Sequence, residues 1–180
     1  MKQRPDLNKL SKEIYEANKA KGFHDEEHSD ETLLMLVITE LSEAVEADRK
    51  SKRSDNDYSV VELYRQYNIF NSIFETLIKD TVEDELADAV IRLLDLAGLR
   101  EVSFRCILPA FIIRKNDSFP ENIYAICKRI TKIDECKYKV ADILSNIEGL
   151  CKSMNIDLWY HIELKLQYNT TRPNKHGKEY

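Results

Sequence analysis

Glutamate recurs every third position along one segment, at Glu40, Glu43 and Glu46, and a second acidic pair, Glu85 and Asp88, lies further on. Residues three apart on a helix differ by about 60° around its axis, so each set projects from one side. Carboxylates gathered in this way repel one another, and withdrawing them from water is costly unless something positive compensates. A bound divalent cation between two such rows would do so. A donor set made of oxygen, with no cysteine pair and no paired histidine, suits Mg²⁺ or Mn²⁺ better than zinc. Di-iron bundles need a Glu-x-x-His on each of two helices, and this sequence has none.

The elements that carry these acids read as helices. Leu34, Val37, Leu41, Ala44 and Val45 form the apolar face of one long helix, expected from Glu31 to Lys50, and Glu40 falls at the border of that face. The later helix opens at Thr81, with Asp84 and Glu85 three and four residues on in an approximate capping box, and runs to Arg100. Apolar residues cover most of its circumference, leaving one polar arc of Asp84, Glu85, Asp88, Arg92 and Asp95. Four carboxylates therefore line a narrow stripe on a helix that looks enclosed by protein. The alternative is a solvated stripe with Arg92 as its partner.

A second constellation is basic. Lys165, Arg172, Lys175, His176 and Lys178 gather near the end of an otherwise acidic chain, with Asn169 among them. An Arg fork and a Lys ammonium are what a polyphosphate needs, although charged chain ends are common without any such role. Carboxylates that hold Mg²⁺, facing cations that hold phosphate, describe a site for a Mg-nucleotide.

Composition limits the alternatives. The chain has 180 residues, 43% of them apolar, enough for one compact domain. Gly and Pro number four each, too few for turn-rich sandwiches, propellers or glycine-looped nucleotide folds. The net charge of -5 provides no chain-wide basic footprint, so no nucleic-acid polymer is expected as partner. Charges and a proline in MKQRPDLNKL stand where a secretory signal would be apolar, and no apolar run approaches the roughly 20 residues that cross a bilayer. The expectation is a cytoplasmic chain with no membrane partner. Cys106, Cys127, Cys136 and Cys151 contain no C-x-x-C and read as reduced thiols.

The remaining helices are expected over Leu7 to Ala20, in one or two short pieces within Val60 to Lys79, over Glu121 to Met154 with a break near Asp134, and over Leu158 to Tyr168. Val102 to Ile113 is ambiguous between helix and extended chain. Asn116 to Pro120 is a loop, with Pro120 near the start of the next helix. Trp159 reads as core packing. The fold class is all-α.

Taken in order, E-L-S-E (Glu40 to Glu43), E-D-E-L-A-D (Glu83 to Asp88), N-I-D-L (Asn155 to Leu158) and K-x-x-x-N-x-x-R (Lys165 to Arg172) resemble the MazG-like members of the all-α NTP pyrophosphohydrolase superfamily. The resemblance covers roughly residues 7–100 and 155–177. It implies a single four-helix-bundle-like domain over 1–180, with 102–154 as an additional helical segment and an insertion in the 41 residues between Glu43 and Glu85. It implies Glu40, Glu43, Glu85 and Asp88 as Mg²⁺ ligands, and Lys165, Asn169, Arg172 and Lys175 on the phosphate side. Phe23, His24 and His28 would contact base or sugar, although similar sequences often carry Trp where His24 stands.

The implied activity is Mg-dependent hydrolysis of an NTP or dNTP to the monophosphate and pyrophosphate. Glu43, or a neighbour such as Glu46, would accept the water proton, with Glu40 beside it. A homodimer or homotetramer is expected from the many amphipathic helices. The competing reading is a non-catalytic helical module that binds nucleotide or protein.

Overall fold

A computed structural model describes residues 1–54, 59–65, 69–105, 110, 112–132 and 136–174, the side chains of 136–139 excepted. Among the described residues there are eight helices and no strand: α1 (Leu7–Ala20), α2 (Asp30–Arg49), α3 (Ser59–Arg65), α4 (Phe70–Leu77), α5 (Val82–Leu99), α6 (Phe119–Lys132), α7 (Cys136–Ser153) and α8 (Leu158–Thr170). None of the helices searched is long and apolar enough to cross a membrane.

Side-chain caps start the helices that build the site. Asp6 accepts from Asn8 N at 2.9 Å to open α1, Ser29 from Thr32 N at 3.3 Å to open α2, and Thr81 from Asp84 N at 3.3 Å to open α5. Asp157 does the same for α8, accepting from Tyr160 N at 3.3 Å. The expected ends of α1 agree with the structure, and those of α2 differ by one residue.

The segment 60–79 resolves into the two short helices α3 and α4. In the ambiguous segment 102–113, the described residues are not helical. Asn8 explains part of this, because its Oδ1 accepts from Phe104 N at 2.9 Å and draws that backbone onto α1. Asp134, where a break was expected, lies outside the described residues, between the end of α6 at Lys132 and the start of α7 at Cys136.

The axis of the molecule is α5, which packs against α2, α1, α8 and α7. From Val82 to Ala97 its side chains are buried except at Asp88, Arg92 and Asp95, which lie along one stripe. The main core joins apolar residues of α1, α2, α5, α6, α7 and α8, including Leu41, Leu93, Ile126, Ile147 and Ile162. A smaller core of Val61, Phe70, Phe74, Ile78, Leu164 and Tyr168 fastens α3 and α4 to α8. Trp159 belongs to the main core, and its Nε1 donates to Glu148 at 3.0 Å. Cys127 and Cys151 are free thiols; Cys106 and the Cys136 side chain lie outside the description.

Two features of this packing make predictions. A Cβ at Gly98 would meet Ser11 O and Tyr15 Cβ at 2.5 Å each, so the close crossing of α1 and α5 depends on the missing side chain. Gly98→Ala gains about 1 kcal/mol of helix propensity but forces the rods apart, and we expect a net loss of about 1–3 kcal/mol in urea denaturation.

His161 is 1% exposed, with Nε2 at 3.3 Å from Ser54 Oγ. Burial pushes its imidazole from 6.5 down to about 4 against the pull of Asp157. The unfolded chain therefore binds the extra proton first, and this contribution to stability falls as pH drops from about 6.5 to about 4. The loss amounts to about 3 kcal/mol. His161→Gln should flatten that part of the pH profile in parallel urea titrations.

Candidate functional site

Three carboxylates occupy the first turn of α5, where the helix dipole favours negative charge. Each has been drawn out of solvent, and their surroundings differ. Glu83 accepts from Ser54 N at 2.9 Å and lies 3.6 Å from the Arg53 guanidinium. Asp84, 1% exposed, accepts Lys165 Nζ on both oxygens at 2.9 Å and Asp80 N at 3.0 Å. Glu85, 5% exposed, makes no side-chain hydrogen bond and no ion pair among the described residues.

Glu85 points instead toward α2. One oxygen each of Glu85, Glu40 and Glu43 lie within 4.8 Å of one another, so two buried carboxylates and one exposed carboxylate from two rods converge on one place. Glu40 is buried on the flank of α2 and accepts from Arg92 Nε. Glu46 lies outside this trio and pairs with Arg49 and Lys50 at 2.9 and 3.2 Å.

Electrostatics express the crowding. Burial first, then the charges of Asp84 and Asp88, push Glu85 up to about 8. Burial also raises Asp84 to about 6 despite the Lys165 ammonium. Glu40 is raised by burial, with Arg92 working against the shift. Lys165, only 5% exposed, would be lowered by burial, yet Asp88 and Asp84 outweigh that and hold it above its ordinary value. Lys165 and Arg92 are thus built into the cluster, and among the described residues Glu85 has no ion-pair partner.

Beside the trio lies a cavity of about 70 Å³ lined by Phe23, Glu40, Asp88, Arg92, Asn169 and Arg172, with Asn18, Ile91 and Asp95 completing the wall. The sequence-expected residues Glu40, Asp88, Phe23, Asn169 and Arg172 thereby come together from α2, α5, the α1–α2 connection and the end of α8. Asn169 Oδ1 is buried there without a hydrogen-bond partner among the described residues. Arg172 lies over the Tyr168 ring, 6.0 Å from its centroid.

His24 and His28 line a neighbouring cavity of about 370 Å³ with Tyr15, Glu27 and Arg100. The link between His24 Nε2 and Asp95 Oδ1, 3.0 Å long, stands between the two spaces. Lys175 lies outside the described residues.

Lys165 and Asp88 are arranged differently from the expectation. The Lys165 ammonium, read from the sequence as facing phosphate, is turned inward onto Asp84 and onto Asp88 Oδ2, the latter at 2.7 Å. Asp88 accordingly stands outside the converging trio. Sequence reasoning also passed over Lys21 and Asn18. Lys21 Nζ reaches the backbone carbonyls of Asn169 and Arg172, tying the end of α1 to the end of α8. Only its place beside Gly22, where α1 stops, hinted at a role. In comparisons with protein-family models, curated proteins and solved structures, the chain matches none of them.

Proposed function

We propose that the chain hydrolyses a nucleoside triphosphate, NTP or dNTP, to the monophosphate and pyrophosphate, with Mg²⁺ or Mn²⁺ as cofactor. The observation that carries this reading is the buried, unpartnered Glu85 carboxylate aimed at Glu40 and Glu43. An all-oxygen donor trio of this kind fits a hard divalent cation. Glu40, Glu43 and Glu85 would hold the ion, which when bound supplies charge for phosphate oxygens and lowers the pKa of a coordinated water.

The chain's own residues do the rest. Glu43, the exposed member of the trio, would take a proton from water. Arg172, on the wall of the adjoining cavity, offers a planar fork for two phosphate oxygens. Arg92 holds Glu40 in position. The smaller cavity, at about 70 Å³, has room for an ion and one or two waters, each taking about 30 Å³. Base and sugar would lie toward the larger space beside His24 and His28, as the MazG-like resemblance implies. The proposal includes a cytoplasmic homodimer or homotetramer, for which Val60, Leu63, Ile69 and Leu77 supply exposed apolar side chains.

The test is incubation of the protein with Mg²⁺ and a panel of NTPs and dNTPs, with pyrophosphate and orthophosphate measured separately. Pyrophosphate release dependent on Mg²⁺ is expected. Orthophosphate alone would reject the cleavage position, and Mg-dependent nucleotide binding without turnover would favour the non-catalytic module.

A further inference from the structure

Five carboxylates from two helices share the centre: Glu40 and Glu43 from α2, and Asp84, Glu85 and Asp88 from α5. Two bound pairs of ligands would suggest two divalent ions, but the geometry divides the five unequally. Asp84 and Asp88 close on a single ammonium, with Lys165 Nζ 2.9 Å from both Asp84 oxygens and 2.7 Å from Asp88 Oδ2. That ammonium is 5% exposed and comes from α8, across the bundle. The remaining three converge without it, and Glu85, equally buried, has no hydrogen bond or ion pair among the described residues.

A divalent ion arriving at Asp88 would have to sit beside the Lys165 ammonium, or draw Asp88 away and leave that buried cation with Asp84 alone; either is unfavourable. We propose that the Lys165 ammonium stands where a second divalent ion would otherwise sit, so that the chain binds one divalent cation, on Glu40, Glu43 and Glu85. This rests on the metal reading above and adds its stoichiometry. The structure thereby separates two roles that the spacing of the acids suggested were one: α2 and Glu85 select a cation from solution, while Asp84 and Asp88 carry a permanent one.

The test is a Mn²⁺ titration of the full chain without nucleotide, reading free Mn²⁺ by its electron paramagnetic resonance signal. One ion per chain is expected for the unaltered protein and for Lys165→Arg. Lys165→Gln, which keeps a polar donor at that position but carries no charge, is expected to take up a second ion with an affinity within about tenfold of the first. Two ions in the unaltered protein, or only one in a Lys165→Gln variant shown by circular dichroism to be folded, would overturn the proposal. Should that variant not fold, the counts for the unaltered protein and for Lys165→Arg decide. Absence of any bound ion in the unaltered protein strikes at the metal reading itself and is thus told apart from a wrong stoichiometry.

Discussion

Glu85→Gln is expected to make the ion-free protein more stable while abolishing the proposed pyrophosphate release. The carboxylate is buried beside Asp84 and Asp88, and its protonation midpoint rises from 4.5 to about 8. A group with a raised midpoint in the folded state binds its proton more tightly there than in the unfolded chain. The stability it contributes is full below pH 4.5 and is lost as pH climbs toward about 8. Glutamine has nearly the same shape and no such charge, so at pH 8 the substitution should gain about 2–4 kcal/mol. For a chain of this size that is a rise in Tm of roughly 5–10 °C.

The same substitution takes a charged oxygen from the trio. Divalent-ion binding should collapse, and pyrophosphate release should fall by about a thousandfold or more, equivalent to about 4 kcal/mol in the transition state. Differential scanning calorimetry in chelator, paired with the turnover assay, checks both halves. A variant that is no more stable would show that Glu85 has a partner the proposal denies it, and one that turns over normally would remove Glu85 from the proposed metal site.

Lys165→Met should act with the opposite sign. It leaves Asp84, 1% exposed, with only the Asp80 N–H to answer its charge. Removing one member of a buried pair costs about 3–5 kcal/mol, and we expect a loss of that size in urea denaturation at pH 7. Adding Asp84→Asn removes the stranded charge, and the double variant should recover more than half of the loss. A double variant as unstable as Lys165→Met alone would mean that Lys165 contributes through packing of its stem and not through its charge.

Much of this arrangement was legible from periodicity. The apolar circumference of α5 and its single polar arc follow directly from helical geometry, and the structure leaves Asp88, Arg92 and Asp95 as the half-exposed members of that arc. Glu40 at the margin of an apolar face was a similar signal, and it is buried. Caps at Ser29 and Thr81 and the stop before Gly22 marked helix ends because their side-chain and backbone chemistry is local.

What was not legible depends on contacts between distant parts of the chain. Nothing in K-x-x-x-N-x-x-R says whether the lysine faces a phosphate or a carboxylate; that depends on the rotation of α8 against α5, which only the packed core sets. The grip of Lys21 on the carbonyls of Asn169 and Arg172 spans almost the whole chain and leaves no pattern in either segment. The bend of 102–105 onto α1 depends on Asn8, an amide about a hundred residues earlier that looks like any solvated helix position.

The ammonium that answers Asp84 lies 81 residues downstream of it. During synthesis the chain emerges from its amino end, and segments begin to fold before the rest has appeared. Until α8 leaves the ribosome, Asp84 has no ammonium to answer it and is held in water. The central rod can therefore be sheathed only once α8 has emerged, and a message truncated ahead of Lys165 yields a polypeptide that exposes its apolar segments to chaperones and proteases.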